Sequence, residues 1–135
     1  MQTALIIAKY IINQCIKDGS PISNLRLQYL LYLVQKNTLK THDKPAFYDN
    51  FVADITGPKV PNVYYAFCHY GAMEIIPYQL YSLPPIKNAS YISSILKEYQ
   101  SESTFSLMEK CKDKAWEEAH KSASSIISFD AIRQA

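Results

Sequence analysis

One predicted helix with apolar residues on two sides constrains the fold most. Ser23 is a good N-cap, and the pattern predicts a helix from there to about Asn37. At 100° per residue, two apolar stripes lie on nearly opposite sides, and a narrow polar strip separates them. Such a helix either lies at the centre of the fold or gives one side to a partner. The first stripe contains Leu27, Leu30, Leu31 and Val34; the second contains Leu25, Tyr29, Tyr32 and Leu33; the strip contains Asn24, Gln28 and Gln35.

Both interpretations remain open from the sequence. The central position is the simpler one, because a helix that is buried on two sides needs no partner. If one side does contact a partner, the side with Tyr29 and Tyr32 is the better candidate, since tyrosine combines apolar area with a polar tip. Arg26 on the same helix is included with them as a candidate partner-binding residue.

Further helices are predicted around this one. The first runs from Thr3 to Asp18, where Gly19 and then Pro21 end it. Residues 41–45 are predicted to form a loop, 47–55 a short strand, and Gly57-Pro58 a turn. Residues 73–83 are predicted to be extended and to pair with 47–55. The remaining helices are predicted from about Pro61 to Gly71, after an N-cap at Asn88, from Ser103 to Cys111, from Trp116 to His120, and after an N-cap at Ser128.

The predicted fold is therefore mainly α. It is a single compact domain, residues 1–135, of about five to six helices with a small two- or three-stranded β element. Hydrophobic residues make up 48% of the chain and charged residues 19%, which is typical of a globular protein. The first apolar stretch is too short and too polar for a signal peptide or a membrane span. Three cysteines without a CxxC spacing favour a reducing cytoplasm.

The sequence contains no recognisable catalytic or metal-binding pattern. Cys68 and His69 are neighbours, but adjacent side chains on a helix diverge. Cys68 could still pair with His42 or His120, although no spacing selects either. The three histidines and three cysteines show no spacing that zinc requires. We therefore predict no enzyme activity, no metal and no cofactor.

The charge balance does not indicate nucleic-acid binding. The chain has 14 basic and 12 acidic residues, a net charge of +2. Binding to a phosphate backbone requires clustered Lys and Arg side chains. A stripe on one surface formed by Arg26, Lys36, Lys40, Lys44 and Lys59 would reopen this possibility.

Three stretches resemble the Panacea family, which includes SocA-like antitoxins and GepA-like phage-associated proteins. Residues 21–32 (PISNLRLQYLLY) are similar to the family's Pro-Ile-Thr-x-Leu-Lys-Leu-Gln-Lys-Leu-Leu-Tyr pattern. Residues 57–64 (GPKVPNVY), with Phe67 and Tyr70-Gly71, are similar to its Gly-Pro-Val-x-Pro-x-Leu-Tyr…Phe…Tyr-Gly signature. Residues 115–119 (AWEEA) are similar to a weaker Pro-Trp-x-x-Ala motif. The family-motif residues, to which we assign mainly structural roles, are Leu27, Gln28, Leu31, Gly57, Pro58, Pro61, Tyr64, Gly71 and Trp116.

The motif residues also predict features of the local structure. Gly57-Pro58 would turn the chain, and Pro61 would begin a helix. Gln28 could hydrogen-bond this turn, and Trp116 is expected to fill the core between the terminal helices. The chain departs from the family pattern at Tyr29, Lys59 and Ala115, where Lys, Val and Pro are usual. If the family's Lys contacts a partner, Tyr29 implies an altered contact.

The resemblance implies a function as well as a fold. Members of the family often neutralise the toxin that a neighbouring gene encodes, by binding it directly. In one branch the antitoxin hands the toxin to a ClpXP-type protease. For this chain, the resemblance implies a non-enzymatic antitoxin-type protein-binding module. The alternative is a phage or mobile-element protein that acts as a proteolytic adaptor or regulator. In both cases the partner is a protein, and no membrane is involved.

Overall fold

The computed structural model describes residues 2–135, and these residues form a mainly helical fold. The predicted fold class is confirmed, with seven α-helices in the described residues and a three-stranded antiparallel sheet. The elements in chain order are α1 (Ala4–Lys17), α2 (Asn24–His42), β1 (Phe51–Asp54), β2 (Gly57–Lys59), α3 (Pro61–Ala66), a 3₁₀ turn (Cys68–Tyr70), α4 (Ala89–Tyr99), α5 (Thr104–Cys111), α6 (Lys114–His120), β3 (Ile126–Ile127) and α7 (Phe129–Gln134).

Short oxygen-bearing side chains begin most of the helices. Each accepts a hydrogen bond from a backbone N–H in the first turn and so pairs one of the donors that a helix leaves free. Ser23 accepts from Arg26 N at 3.2 Å, and Ser128 from Ala131 N at 3.1 Å. Both caps were predicted from the sequence. The complete set of capping residues is Thr3, Ser23, Ser103, Asp113 and Ser128.

Helix α2 lies at the centre of the fold. It packs against α1, α4, α5, α7 and β2, so both of its apolar sides are covered within the chain. Its second stripe is buried apart from Leu25 in the first turn. The central interpretation is therefore the one that the structure shows. The covered side includes Tyr29 and Tyr32, whose side chains are 1% and 0% exposed.

Helix α2 is longer than the sequence predicted. It continues to His42 and ends at Asp43, which adopts a left-handed conformation (φ 56°). The predicted loop at residues 41–45 is wrong for Thr41 and His42, which are helical. The extension is stabilised by burial of Leu39, and the Thr38 hydroxyl donates to the carbonyl of Val34 at 2.7 Å.

The sheet has the order β2-β1-β3, and both neighbours of β1 are antiparallel to it. Ala53 pairs with Pro58, and Phe51 pairs with Ile127. The predicted pairing of residues 73–83 with 47–55 is therefore wrong. Gly57 and Pro58 lie in β2 instead of forming the turn, which falls at residues 55–56. Proline suits an edge strand because it has no N–H to donate.

Aromatic rings join the sheet to α2. The Tyr32 and Phe51 rings meet edge-on with centroids 5.2 Å apart, and Phe47 packs against Phe51 at 5.8 Å. All three are buried in one core cluster that includes residues from every helix. None of the helices formed by residues 2–135 combines the length and the apolar character needed to cross a membrane.

Candidate functional site

A chain of buried amides connects α2 to the second motif. Val60 N donates to Gln28 Oε1 at 2.9 Å, and Gln28 Nε2 donates to Asn24 Oδ1 at 3.1 Å. Asn24 Nδ2 in turn donates to the carbonyl of Tyr64 at 3.0 Å. The expected bond between Gln28 and the residues after Gly57-Pro58 is thus present. Since every member is paired, this polar strip can be buried without a large desolvation cost.

Tyr29 packs against Gly57 in the same region. Its hydroxyl donates to the carbonyl of Thr56, in the turn between β1 and β2. A Cβ atom placed on Gly57 would lie 2.7 Å from Tyr29 Cε1, and Gly57 has φ +132°. Only glycine fits this position without strain. Burial raises the pKa of Tyr29 to about 12, so its hydroxyl keeps its proton at neutral pH.

Tyr32 belongs to a second buried polar group. Its hydroxyl donates to Asp113 Oδ2 at 2.8 Å, and Lys36 Nζ donates to the same oxygen at 2.8 Å. The other Asp113 oxygen accepts from Trp116 N and so caps α6. Burial, followed by the Asp113 charge, raises the pKa of Tyr32. Asp113 therefore joins α2 to α6.

The three candidate partner-binding residues thus have contacts inside the chain. Arg26 Nη2 donates to the carbonyl of Gln100 at 3.1 Å and connects α2 to the segment between α4 and α5. Tyr29 and Tyr32 are buried, so a partner could reach them only if the sheet or α6 moved away. The suspected partner side of α2 is covered by this chain's own residues.

The family-motif residues occupy structural positions. Leu27 and Leu31 are fully buried in the core. Pro61 is the first residue of α3, and Gly71 ends the 3₁₀ turn with φ 60°. Tyr64 is half-buried, and the Lys59 ammonium lies 4.1 Å from the centre of its ring.

Trp116 has a different position from the one predicted. It is half-buried and does not fill the core between the terminal helices. Its Nε1 donates to the carbonyl of Asp54 at 2.8 Å, and its ring stacks on His120 at 4.7 Å. His120 Nδ1 lies 3.0 Å from the carbonyl of Ala53. Trp116 and His120 therefore hold α6 against strand β1.

Two of the three cysteines are buried and one is exposed. Cys68 is exposed, and its thiol donates to the carbonyl of Tyr65 at 3.2 Å. Within residues 2–135, no hydrogen bond joins it to a histidine, and His69 instead packs against Tyr70. Burial raises the pKa of Cys15 to about 11 and also raises that of Cys111, so both thiols stay protonated. Nowhere in the described part of the chain do three or more His, Cys, Asp or Glu side chains group as a metal site would require.

The basic side chains considered for nucleic acid mostly have partners of their own. Lys36 pairs with Asp113, and Lys59 pairs with Asp54 at 3.6 Å. Arg26 donates to backbone carbonyls, as described above. Lys40 Nζ donates to the carbonyl of Ala135 at 3.3 Å. Carboxylates neutralise two of the five cations, Lys36 and Lys59, so the set does not form a continuous stripe of unpaired positive charge.

Along the sequence, exposed large apolar side chains are most concentrated in α3 and in the segment between α3 and α4. Five of the ten exposed large hydrophobic side chains fall within residues 65–80. Met73 is 75% exposed, Tyr65 68% and Ile76 58%, and Tyr78 is fully exposed. Small monomeric proteins rarely expose many large apolar side chains close together without a use. We call the set Tyr65, Met73, Ile76, Tyr78 and Leu80 the apolar segment surface.

Residues 71–88 contain no helix or strand. Hydrogen bonds nevertheless fix the backbone of this segment at two points, Ile75 and Tyr81. Ile75 N donates to the carbonyl of Ile22 at 2.8 Å. Further along, Asn13 donates to the Tyr81 carbonyl at 2.9 Å and accepts from Tyr81 N at 3.0 Å. The Phe67 ring packs against the Tyr81 ring at 6.3 Å. Residues 76–80 therefore project outward between two fixed points.

Sequence reasoning missed this surface. Residues 73–83 were predicted to be a strand because apolar residues follow one another closely there. Pro77, Pro84 and Pro85 remove backbone donors, which was the signal against a paired strand.

Comparisons of this chain with protein-family models, with curated proteins and with solved structures found no match.

Proposed function

We propose that this protein is a non-enzymatic, antitoxin-type binding module that neutralises a toxin encoded by a neighbouring gene through direct contact. The resemblance of residues 21–32 and 57–71 to the Panacea family motivates the class of function. The apolar segment surface is the observation that carries the proposal, because it supplies aromatic and aliphatic anchors on a fixed segment.

The arrangement suits a contact between proteins. Binding energy in such contacts concentrates in a few large side chains, with Tyr among the most frequent. Tyr65 and Tyr78 provide two of these, and Met73 adds a flexible apolar group. The segment is anchored at Ile75 and Tyr81 before any partner arrives, so little ordering entropy is lost on binding.

The charge of the segment indicates the chemistry of the partner. Glu74 is the only Asp, Glu, Lys or Arg between residues 65 and 80. A partner that covers the segment must therefore be apolar at the centre of its contact surface. A Lys or Arg at the edge would complement Glu74. The toxin is expected to present an apolar patch with at least one basic residue beside it.

Co-expression tests the proposal. Each gene that flanks the gene for this chain is expressed from an inducible promoter, alone and with this protein, and growth is measured. We expect one product to stop growth and co-expression to restore it. The double variant Ile76→Ser/Tyr78→Ser should lose this protection. Phe105→Ser, which changes an exposed side chain of α5, should keep it. No toxic neighbour, or toxicity that this chain does not relieve, would overturn the proposal.

A proteolytic adaptor is the second candidate, because the protein exposes apolar side chains on another element as well. Ile55 is exposed in the turn between β1 and β2 and Ile126 in β3, apart from the segment of residues 65–80. An adaptor needs one surface for its substrate and another for the chaperone-protease. If this reading holds, adding the protein to purified ClpXP should speed degradation of the partner, and Ile55→Ser should slow it again. Unchanged partner turnover would exclude the adaptor function.

A further inference from the structure

A cavity of about 690 Å³ lies where the end of α2 meets the start of α4. This volume falls within the range of small-molecule sites, which extends from about 300 to 1,000 Å³. Its lining includes no residue of the apolar segment surface and none of the family-motif residues. Its walls come from α2, from the loop that follows α2, and from the segment before α4. The polar lining residues are Gln2, Thr38, His42, Lys44, Lys87 and Asn88.

The lining carries positive charge without acidic groups. Lys44 and Lys87 both line the cavity, and no Asp or Glu does. Within residues 2–135, neither ammonium pairs with a carboxylate. The nearest acidic residue in sequence, Asp43, pairs with Arg133 at 3.1 Å instead. Two unneutralised ammonium groups at one cavity attract an anion.

Asn88, the residue before α4, also lines the cavity. Asn88 precedes the 11-residue helix with φ 61°, and its side chain makes no capping hydrogen bond. The sequence predicted Asn88 as the cap, and the residue holds that position without that bond. The first turn of α4 contains no acidic residue. The positive end of the α4 helix dipole therefore adds to the attraction that the lysines exert on an anion.

The rest of the lining is apolar. Pro45, Ala46, Pro85 and the buried Ile92 form a hydrophobic wall, and Tyr48 adds a ring that is more than half exposed. A bare inorganic ion would leave this wall in water. A molecule that joins an anionic group to a flat apolar ring would cover it, and the Tyr48 ring offers a stacking surface.

We propose that this cavity binds a small phosphorylated molecule with a flat ring, of the mononucleotide class. Lys44 and Lys87 hold the phosphate by charge-assisted hydrogen bonds, and Tyr48 with Pro85 covers the ring. No bond is made or broken, so the site is one of binding. It is independent of the apolar segment surface, and its failure would leave the protein-binding proposal unaffected.

Isothermal titration calorimetry with three probes tests the proposal on the full chain. AMP carries phosphate and ring, adenosine carries the ring alone, and inorganic phosphate carries the anion alone. We expect AMP to bind more tightly than either of the others. The variant Lys44→Gln/Lys87→Gln should weaken AMP binding by about tenfold or more, since it removes two charge-assisted bonds.

A matched control separates the site from general charge effects. Lys17→Gln/Lys97→Gln makes the same change in net charge with two exposed lysines that do not line the cavity. This variant should keep the AMP affinity of the unmodified protein. Absence of measurable AMP binding, AMP affinity no higher than that of phosphate, or equal losses in both double variants would each overturn the proposal. Circular dichroism spectra would verify that both variants are folded.

Discussion

At the scale of single residues, Gly57 and Tyr29 depend on each other. The Tyr29 ring occupies the space into which any Cβ at residue 57 would project, and the Tyr29 hydroxyl binds the preceding carbonyl of Thr56. The Tyr29 ring therefore packs directly against the backbone of β2. The glycine is thus required by both its φ angle and its neighbour.

Replacing Gly57 by Ala should destabilise the protein. The new methyl group would overlap Tyr29, and φ +132° strains any residue with a side chain. We expect the free energy of unfolding to fall by about 2–4 kcal/mol, measured by urea denaturation. Gly71→Ala is the control, because its φ of +60° adds strain while no atom lies within 4 Å. It should lose about 1–2 kcal/mol. Equal losses would show that the Tyr29 contact is unimportant.

Replacing Gln28 by Leu should also cost stability. Leucine fills similar space but leaves Val60 N and Asn24 Oδ1 without their partners in the interior. An unsatisfied buried polar group costs about 1–3 kcal/mol. Urea denaturation should show a loss of that size. Gln134→Leu, at an exposed position of α7, should change stability by less than about 0.5 kcal/mol. A Gln28 variant as stable as the control would contradict the role assigned to this network.

The raised pKa of Tyr29 should make the protein sensitive to alkali. Burial raises the pKa in the folded protein from 10.0 to about 12, so above pH 10 the unfolded chain loses this proton first. The resulting stabilisation is complete below pH 10 and is lost as the pH rises towards about 12. Urea midpoints should therefore fall across this range. Tyr29→Phe should start from a lower midpoint but decline less steeply. An identical slope in both proteins would refute this explanation.

At the scale of elements, α2 organises the fold through its polar strip as well as its apolar sides. Asn24 and Gln28 bind the backbone around α3, as described above. Gln35 accepts from Ala46 N at 2.8 Å and donates to the carbonyl of Phe47 at 2.8 Å. All three amides are buried. The sequence revealed the strip by its spacing. It did not reveal that the strip lies in the interior, because periodicity does not distinguish water from backbone as the partner.

The anchoring of the exposed segment can be tested through Asn13. Asn13→Ala removes both hydrogen bonds to Tyr81 and frees one end of residues 76–80. We expect the Tyr81 amide, which donates to Asn13, to exchange with deuterium about tenfold faster, while buried amides of α2 change less. Asn50→Ala, at an exposed position with no such contact, is the control. Uniform acceleration throughout the chain would mean that Asn13 acts on global stability alone.

At the scale of the whole molecule, the helices were predictable and the strand partners were not. Helix starts at Ser23, Pro61 and Ser128 follow from local chemistry, namely a capping oxygen or a fixed φ angle. The partner strand β3 has only two residues and lies more than seventy positions after β1. Such a pairing depends on how α6 and α7 bring the chain back. No local pattern could indicate it.

For a related reason, the sequence did not indicate the apolar segment surface. Tyr29 and Tyr32 have the composition of a binding site, but tertiary packing covers them. The residues at 65–80 have a similar composition and remain uncovered, because prolines keep them out of the sheet and hydrogen bonds at both ends hold them at the surface. Whether a tyrosine is buried depends on the elements that pack around it, so the sequence alone did not separate the two groups.

The central claim is that the protein binds its partner through the apolar segment surface. The most direct measurement is the dissociation constant for the toxic neighbour, by calorimetry, for the unmodified protein, for Ile76→Ser/Tyr78→Ser and for Phe105→Ser. We expect the double variant to bind at least about thirtyfold more weakly, which corresponds to about 2 kcal/mol for the loss of two anchors. Phe105→Ser should bind like the unmodified protein. Unchanged affinity in the double variant, with the fold intact, would contradict the account.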